Sequence, residues 1–187
     1  MFLFVDNFLS EEDFIILNER MLWRFRPGLR QDDQYHGKKT AAVRIRTLSH
    51  NHDYTEAQNL LGKTVPNIVE YIKNYLINEL KFISPEAHGI WFQYMSNKQF
   101  VGPHYDDGNL RKKKPTQCFS TFLYSHNKWE DDWGGELCFH TGEILPKKNR
   151  LIIYSRDEEH WVKDIKHDND NYQRMFLGVS WSTDNDF

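Results

Sequence analysis

From about Ala87 onward the apolar residues stop recurring at helical spacing and gather into five short runs, GIWFQYM, QCFSTFLYS, GELCFH, RLIIYS and RMFLGVSW. Runs of this length, rich in aromatic and β-branched residues and separated by turn residues, read as strands. Their connections are too short for repeated helical crossovers, which parallel pairing would require. The strands therefore pair antiparallel, and the helices that precede them pack against the sheet system. The expected fold is α+β and mainly β: a barrel-like double sheet, a jelly roll or double-stranded β-helix, with flanking N-terminal helices.

The early part of the chain has the other periodicity. In FLSEEDFIILNERMLWRF, Ser10 and Asp13 make a capping-box pattern, and Phe14, Leu17, Met21 and Leu22 fall on one helical face. Residues 26–40 are polar and broken by Pro27, Gly28 and Gly37, which predicts a loop or loose hairpin. Val43 and Ile45 then alternate with Arg44 and Arg46, the pattern of a strand with one wet face. Between Asn59 and Lys81 a second helix follows Pro66, with Ile68, Ile72, Tyr75 or Leu76, and Glu79 or Leu80 at helical spacing.

A length of 187 residues fits one domain over 1–187, with 1–86 as helical support and substrate loop and 87–187 as the jelly-roll core. Apolar residues make up only 39% of the chain, but 15% are aromatic, so the core is expected to be rich in rings. A net charge of -3 gives no general pull toward nucleic acid or an acidic membrane. Cys118 and Cys138 are the two cysteines, with no C-x-x-C pair, which argues against a disulfide framework or a cysteine zinc site and sets a reducing cytoplasm as the expectation. No stretch reaches the roughly 18 apolar residues of a membrane span.

The chemistry gathers around VGPHYDDGN. His104 and Asp106 are two positions apart at a strand end, so both side chains lie on one side of the strand. Asp107 falls on the other side and, with Gly108 and Asn109, leads the turn. A third metal-ligand candidate is His160, placed by the acidic turn RDEEH at the mouth of a neighbouring strand; His126, His140 and His167 compete with it but read as surface or rim histidines, and His36, His50, His52 and His88 precede the sheet. Two histidines and one carboxylate leave three positions open on an octahedral ion, an arrangement associated with non-haem iron(II). Arg174 adds a planar guanidinium suited to bidentate recognition of a carboxylate.

Taken in order, Tyr94, His104-Tyr105-Asp106, TFLY, Trp129, GGEL, PKK, LIIYS, His160, Arg174 and Trp181 resemble the iron(II)- and 2-oxoglutarate-dependent dioxygenases of the prolyl 4-hydroxylase type. The likeness covers roughly residues 87–183, and FVDNFLSEED is similar to that family's opening strand and helix. The resemblance implies that His104, Asp106 and His160 bind iron, that Arg174 pairs with the distal carboxylate of 2-oxoglutarate, and that Tyr94 and Tyr124 contact this cosubstrate. It implies Fe(2+), 2-oxoglutarate and O2, with ascorbate as a candidate reductant. The reaction would couple oxidative decarboxylation of 2-oxoglutarate to succinate with hydroxylation of a substrate, peptidyl proline first and a small molecule second. Nucleic-acid and membrane partners are not expected, and the chain is expected as a monomer or weak dimer.

There are departures from the pattern. Arg174 follows His160 by fourteen positions, with KDIKHDNDNY inserted, which leaves Lys163 and Lys166 as fallback anion partners. Tyr124 is followed by Ser125, His126 and Asn127 in place of Leu-Asn, and Asn149 stands where a turn glycine is common. Gly134 and Gly135 are expected to serve a turn, and Trp181 packing. Residues 26–46 and the basic loop DGNLRKKKPTQ are the segments able to grip a substrate, the solvated-loop reading of Arg111, Lys112, Lys113 and Lys114 being the stronger. Two rival classes remain at this point: a non-catalytic jelly-roll binding module, and a zinc-dependent hydrolase on the same ligands.

Overall fold

The computed structural model describes residues 2–24, 43–46, 64–106, 117–167, 169 and 172–186. The expected loop at 26–40, the Asp107 turn and the basic loop at 111–115 lie outside the described residues. In chain order the elements are β1 (Phe2–Val5), α1 (Glu11–Arg24), β2 (Val43–Arg46), α2 (Thr64–Asn78), β3 (Glu86–Met95), β4 (Val101–His104), β5 (Cys118–Tyr124), β6 (Leu137–Phe139), β7 (Gly142–Ile144), β8 (Leu151–Ser155), β9 (His160–Val162) and β10 (Arg174–Ser182). They form a six-stranded sheet, β1-β8-β5-β10-β3-β2, and a four-stranded sheet, β4-β9-β6-β7. Every paired strand is antiparallel. The described residues thus form a double-stranded β-helix with two flanking helices.

All five apolar runs are strands, and four of them, β3, β5, β8 and β10, form the middle of the large sheet between the edge strands β1 and β2. Apart from the strand end at His104 and the strand mouth at His160, no sequence signal marks the extent of β4, β7 and β9, which have three or four residues each and belong to the small sheet. Segments that short hold too few residues for a period of two to register, and β4 also contains Gly102 and Pro103.

Helix α1 starts as its capping pattern predicts: Ser10 Oγ accepts from the Asp13 N–H at 3.1 Å and donates to Asp13 Oδ2 at 2.8 Å. Its buried face is Phe14, Leu17 and Met21, whereas Leu22, expected on that face, is 43% exposed. Pro66 sits in the first turn of α2, where a missing N–H costs nothing, and Val65, Ile68, Val69, Ile72 and Leu76 are buried.

The interior consists of two separate cores, one on each side of the large sheet. The helix-side core joins Phe14, Leu17, Met21, Ile72 and Leu76 to Phe92, Tyr94, Leu177, Val179 and Trp181. The inter-sheet core joins Trp91, Met95, Phe122, Tyr124, Tyr154 and Phe176 to Leu137 and Phe139 of the small sheet. Strand β3 shows the division residue by residue: Ile90, Phe92 and Tyr94 go to the helices, Trp91 and Met95 to the other sheet. Trp181 packs, as expected, and donates its indole N–H to Thr121 Oγ1 at 2.9 Å. The Trp91 ring lies over Gly178, so close that a Cβ there would stand 2.3 Å from Trp91 Cε2. Only glycine fits beneath it.

Two turns hold the frame. Gly134 and Gly135 have φ of 71° and 73°, the left-handed region expected of that turn. Asn149, with φ 56°, replaces a glycine and uses its side chain as well: Oδ1 accepts from Leu9 N–H at 2.9 Å and Nδ2 donates to Leu9 O at 2.8 Å. The segment before α1 is thereby tied to the turn before β8.

Candidate metal and cosubstrate site

Strands β4 and β9 pair so that His104 stands directly opposite His160. Their rings are 4.3 Å apart between centroids, and Asp106, two residues beyond His104, comes to the same place. Asp106 Oδ1 lies 3.9 Å from His104 Nε2 and 3.8 Å from His160 Nε2. One ligand atom from each of the three residues falls within 4.8 Å of the others, a spacing one ion can bridge.

The surroundings fit such an ion. His104 Nδ1 is 2.9 Å from Gly102 O and His160 Nδ1 is 3.0 Å from Glu158 O. Each main-chain carbonyl takes the Nδ1 proton, which fixes the tautomer that leaves Nε2 as a lone-pair donor. Asp106 Oδ2 accepts from Ser120 Oγ at 2.9 Å and from the Tyr154 hydroxyl at 2.7 Å, so Oδ1 is the oxygen turned toward the histidines. The Arg156 guanidinium donates to the main-chain oxygen of Asp106 at 3.1 and 2.8 Å. Burial, reinforced by the Asp106 charge, holds the Tyr154 phenol well above its ordinary pKa, so it remains a donor. Sequence reasoning missed Ser120, Tyr154 and Arg156. The one signal was the period of two in LIIYS, which puts Ile152 and Tyr154 on the same inward face.

Arg174 occupies the other end of the same inter-sheet space. It is fully buried (0% exposed). Nε donates to Gly135 O at 2.8 Å, Nη2 to the Tyr124 hydroxyl at 2.6 Å, and Nη1 reaches Met95 Sδ at 3.5 Å. Its guanidinium carbon is 4.9 Å from the Tyr124 ring centroid and 5.3 Å from that of Phe176. All of these partners are neutral, and among the described residues no carboxylate pairs with it. A buried guanidinium without an anion costs several kcal/mol. Tyr124 is buried too, and that burial raises its phenol pKa against the opposing pull of Arg174, so its own O–H stays available to donate.

A continuous row of rings joins the two ends. Tyr154 meets Phe122 at 5.1 Å, Phe122 stacks on Phe176 at 4.2 Å, and Phe176 meets Tyr124 at 6.3 Å. Along β5, Ser120, Phe122 and Tyr124 share the inward face, Ser120 reaching Asp106 and Tyr124 reaching Arg174. Of the three candidate anion partners, Arg174 alone is buried: Lys163 lies on the surface 2.5 Å from Glu143, and Lys166 is exposed.

Tyr94 requires correction. It belongs to the helix-side core, on the opposite face of β3 from the His104, Asp106 and His160 group, because its parity is that of Phe92 and not of Trp91. Two histidines expected at the surface or rim also differ: His126 is 2% exposed, and His167 is buried between Trp129 and Trp133. His140 is the surface histidine expected, 2.8 Å from Glu159. His88 Nε2 is 2.6 Å from Ser182 Oγ; His36, His50 and His52 lie outside the described residues.

Residues 90–179, from β3 to β10, match the model of the 2OG-Fe(II) oxygenase superfamily. This stretch is a 2OG-Fe(II) oxygenase domain. It contains His104, Asp106, His160 and Arg174. Among solved structures, the 2OG-Fe(II) oxygenase domain and its flanking elements are similar to the viral collagen prolyl hydroxylase of Paramecium Bursaria Chlorella virus-1 in its 2OG complex, at 15% identity and TM-score 0.66 over 97% of this chain and 96% of that one. A prolyl hydroxylase from Trichoplax adhaerens, in complex with a hypoxia inducible factor oxygen degradation domain peptide, matches at 15% identity and TM-score 0.63 over 97% and 82% of the two chains. SnoK, a non-heme alpha ketoglutarate dependent carbocyclase from nogalamycin biosynthesis, matches at 10% identity and TM-score 0.68 over 97% and 79%. No curated protein matches the sequence. At these identities the likeness is one of fold.

Proposed function

We propose that the protein is an iron(II)- and 2-oxoglutarate-dependent hydroxylase of the prolyl 4-hydroxylase kind, acting on proline in a peptide or protein. The observation that carries this reading is Arg174, a buried cation with no carboxylate partner among the described residues, in the same inter-sheet core as a two-histidine, one-carboxylate cluster. A zinc hydrolase or a plain binding module has no use for that guanidinium. A cosubstrate with a ketone and two carboxylates uses both ends of the core.

In this reading His104 Nε2, His160 Nε2 and Asp106 Oδ1 hold the iron, and Arg174 neutralises the distal carboxylate of 2-oxoglutarate while the Tyr124 hydroxyl donates to it. Iron(II), with 2-oxoglutarate and dioxygen, supplies the oxidation, decarboxylation of the 2-oxo acid being coupled to insertion of one oxygen into a substrate C–H bond. The protein's share is placement and exclusion of water: Phe122, Phe176, Leu137 and Trp91 wall the space with apolar surface. Ascorbate would keep the metal ferrous, and the buried Cys118 and Cys138, neither of them in a disulfide, are compatible with the reducing cytoplasm we propose as its location. The peptidyl-proline preference draws its support from the two prolyl hydroxylases of the same fold, while SnoK is a neighbour of the same fold with another activity.

Anaerobic titration of the metal-free protein with iron(II) and 2-oxoglutarate is expected to give the weak visible charge-transfer band of the chelate. No band, together with no succinate formed in air, would sink the reading. Mass spectrometry of proline-containing peptides from a host lysate then tests the substrate: a gain of one oxygen on proline is expected, and a gain confined to other residues or to small molecules removes the prolyl assignment.

The hydrogen bonds on Asp106 give a further expectation. Tyr154→Phe removes the 2.7 Å donor to Oδ2 while keeping the ring, and metal affinity should fall by about 10- to 100-fold, the usual effect of losing a partner of a metal ligand. Competition for the metal against a chelator measures it. An unchanged affinity would mean that Ser120 alone orients the carboxylate.

A further inference from the structure

His126 is a buried polar group that the proposed chemistry leaves unused. It follows Tyr124 by two residues at the end of β5, past the inward row of Ser120, Phe122 and Tyr124. Its ring is 5.2 Å from that of Tyr124 on one side and 5.2 Å from that of Trp129 on the other, and the residue is 2% exposed. Trp129 in turn packs at the Gly134–Gly135 turn: its indole N–H donates to Gly134 O at 2.9 Å, and a Cβ on Gly135 would stand 3.2 Å from Trp129 Cζ2 and 3.1 Å from Arg174 Cδ. His126 and Arg174 are therefore parts of one enclosure.

The two ring nitrogens have different surroundings. Nδ1 faces the main chain of Met175, the residue next to Arg174, at 3.4 Å from its N–H and 3.3 Å from its carbonyl oxygen. That oxygen already accepts from the Ser125 N–H at 2.9 Å. Nδ1 accepting from the Met175 N–H gives a consistent set, and it places the ring proton on Nε2. Nε2 is buried and has no hydrogen-bond partner among the described residues. Buried donors without acceptors are few in native proteins, and those that occur call for an explanation. Burial first, and the Arg174 charge second, push the His126 pKa down to about 3, so the group adds a neutral N–H beside the guanidinium and no second positive charge.

We propose that His126 is a further cosubstrate-contacting residue, its Nε2–H donating to the same distal carboxylate that Arg174 neutralises. This rests on the 2-oxoglutarate reading of the site. Arg174, Tyr124 and His126 then offer three kinds of donor to one carboxylate: a charged guanidinium, a phenol and a neutral imidazole. A 2-oxo acid that lacks the distal carboxylate would leave all three unmatched, so His126 adds to the preference for a dicarboxylate over a 2-oxo monocarboxylate.

The test uses the full chain loaded with zinc(II), which binds the cosubstrate without turnover. Calorimetric titration with 2-oxoglutarate and with 2-oxovalerate compares the native protein, His126→Phe and His126→Gln, the glutamine amide reaching about where Nε2 lies. His126→Phe should weaken 2-oxoglutarate binding about ten-fold or more with little effect on 2-oxovalerate, and His126→Gln should recover most of that loss. Zinc affinity should be the same in all three. In the native protein, the 15N-histidine Nε2 resonance of His126 should shift on adding 2-oxoglutarate, a readout that holds even if the phenylalanine variant folds poorly. Equal affinity in His126→Phe, a glutamine variant as weak as the phenylalanine one, or an unmoved Nε2 resonance overturns the assignment and leaves His126 a packing residue. If the native protein binds no 2-oxoglutarate, the function itself fails, and that result is distinct from native binding that the variants leave untouched.

Discussion

His160→Ala is expected to lower metal affinity by more than about 100-fold, whereas His140→Ala and His167→Ala leave it within about two-fold. The geometry separates the three. His160 Nε2 faces Asp106 and His104 at the β4–β9 pairing, with its Nδ1 locked by Glu158 O. His140 sits at the surface with Glu159, and His167 is held between two tryptophans. With His160 gone, a bidentate remnant of His104 and Asp106 competes poorly with water for a divalent ion. Metal content after dialysis against a weak chelator measures all three variants side by side. Loss of the metal in His140→Ala, with retention in His160→Ala, would move the third ligand across the β6–β9 pair, to the residue after Phe139, the partner of His160.

The second large effect is at the opposite end of the core. Arg174→Met keeps an unbranched side chain in the same space but removes the guanidinium, and it should raise the 2-oxoglutarate concentration required by about 30-fold or more, because truncating one side of a buried charge pair typically costs about 2–5 kcal/mol. Metal affinity should hardly change, since the Arg174 contacts go to Gly135, Tyr124 and Met95 and none to the metal cluster. Thermal unfolding of the zinc-loaded protein gives an independent check. At a cosubstrate concentration 100 times the native dissociation constant, the native protein should gain about 2.7 kcal/mol of stability, and Arg174→Met about 0.9 kcal/mol or less at the same concentration. If cosubstrate affinity is unchanged, the anion partner passes to a lysine, although Lys163 is already engaged by Glu143.

The period of the apolar residues was enough to read the helices, the large sheet and the antiparallel architecture, because long amphipathic segments repeat their pattern several times. The small sheet was hidden for the opposite reason: VGPH, GEI and HWV are too brief to show a period, and their partners are set by the turns around them. The pair His104 and Asp106 was legible from an i, i+2 spacing that survives any register. Tyr94 was misplaced because a resemblance in sequence order carries no information on parity, and one position along β3 exchanges the helix-side core for the inter-sheet core. Ser120 and Tyr154 could not be found from their own segments, since what brings both to Asp106 is the pairing of β5 with β8 that sets Ser120 opposite Tyr154. His126 was read as a surface or rim histidine because it follows the last strand position of β5, yet the chain continues inward for one more step of the side-chain alternation.

Strand β1 pairs along the outer edge of β8 with Phe2 opposite Tyr154, and the Phe2 ring stacks on Phe139 at 4.8 Å. Phe139 in turn lies 5.4 Å from Tyr154 and 6.0 Å from His160. One wall of the metal cluster is therefore buttressed by the first strand, and further ties hold that end of the chain in place, Asp6 to Arg150 and Leu9 to Asn149. The cluster is in this sense a closure of the whole chain. Its ligands come from the end of β4 and from β9, more than fifty residues apart, its supports from both sheets, and its backing from β1, so metal affinity doubles as a gauge of whether the N-terminal strand has docked.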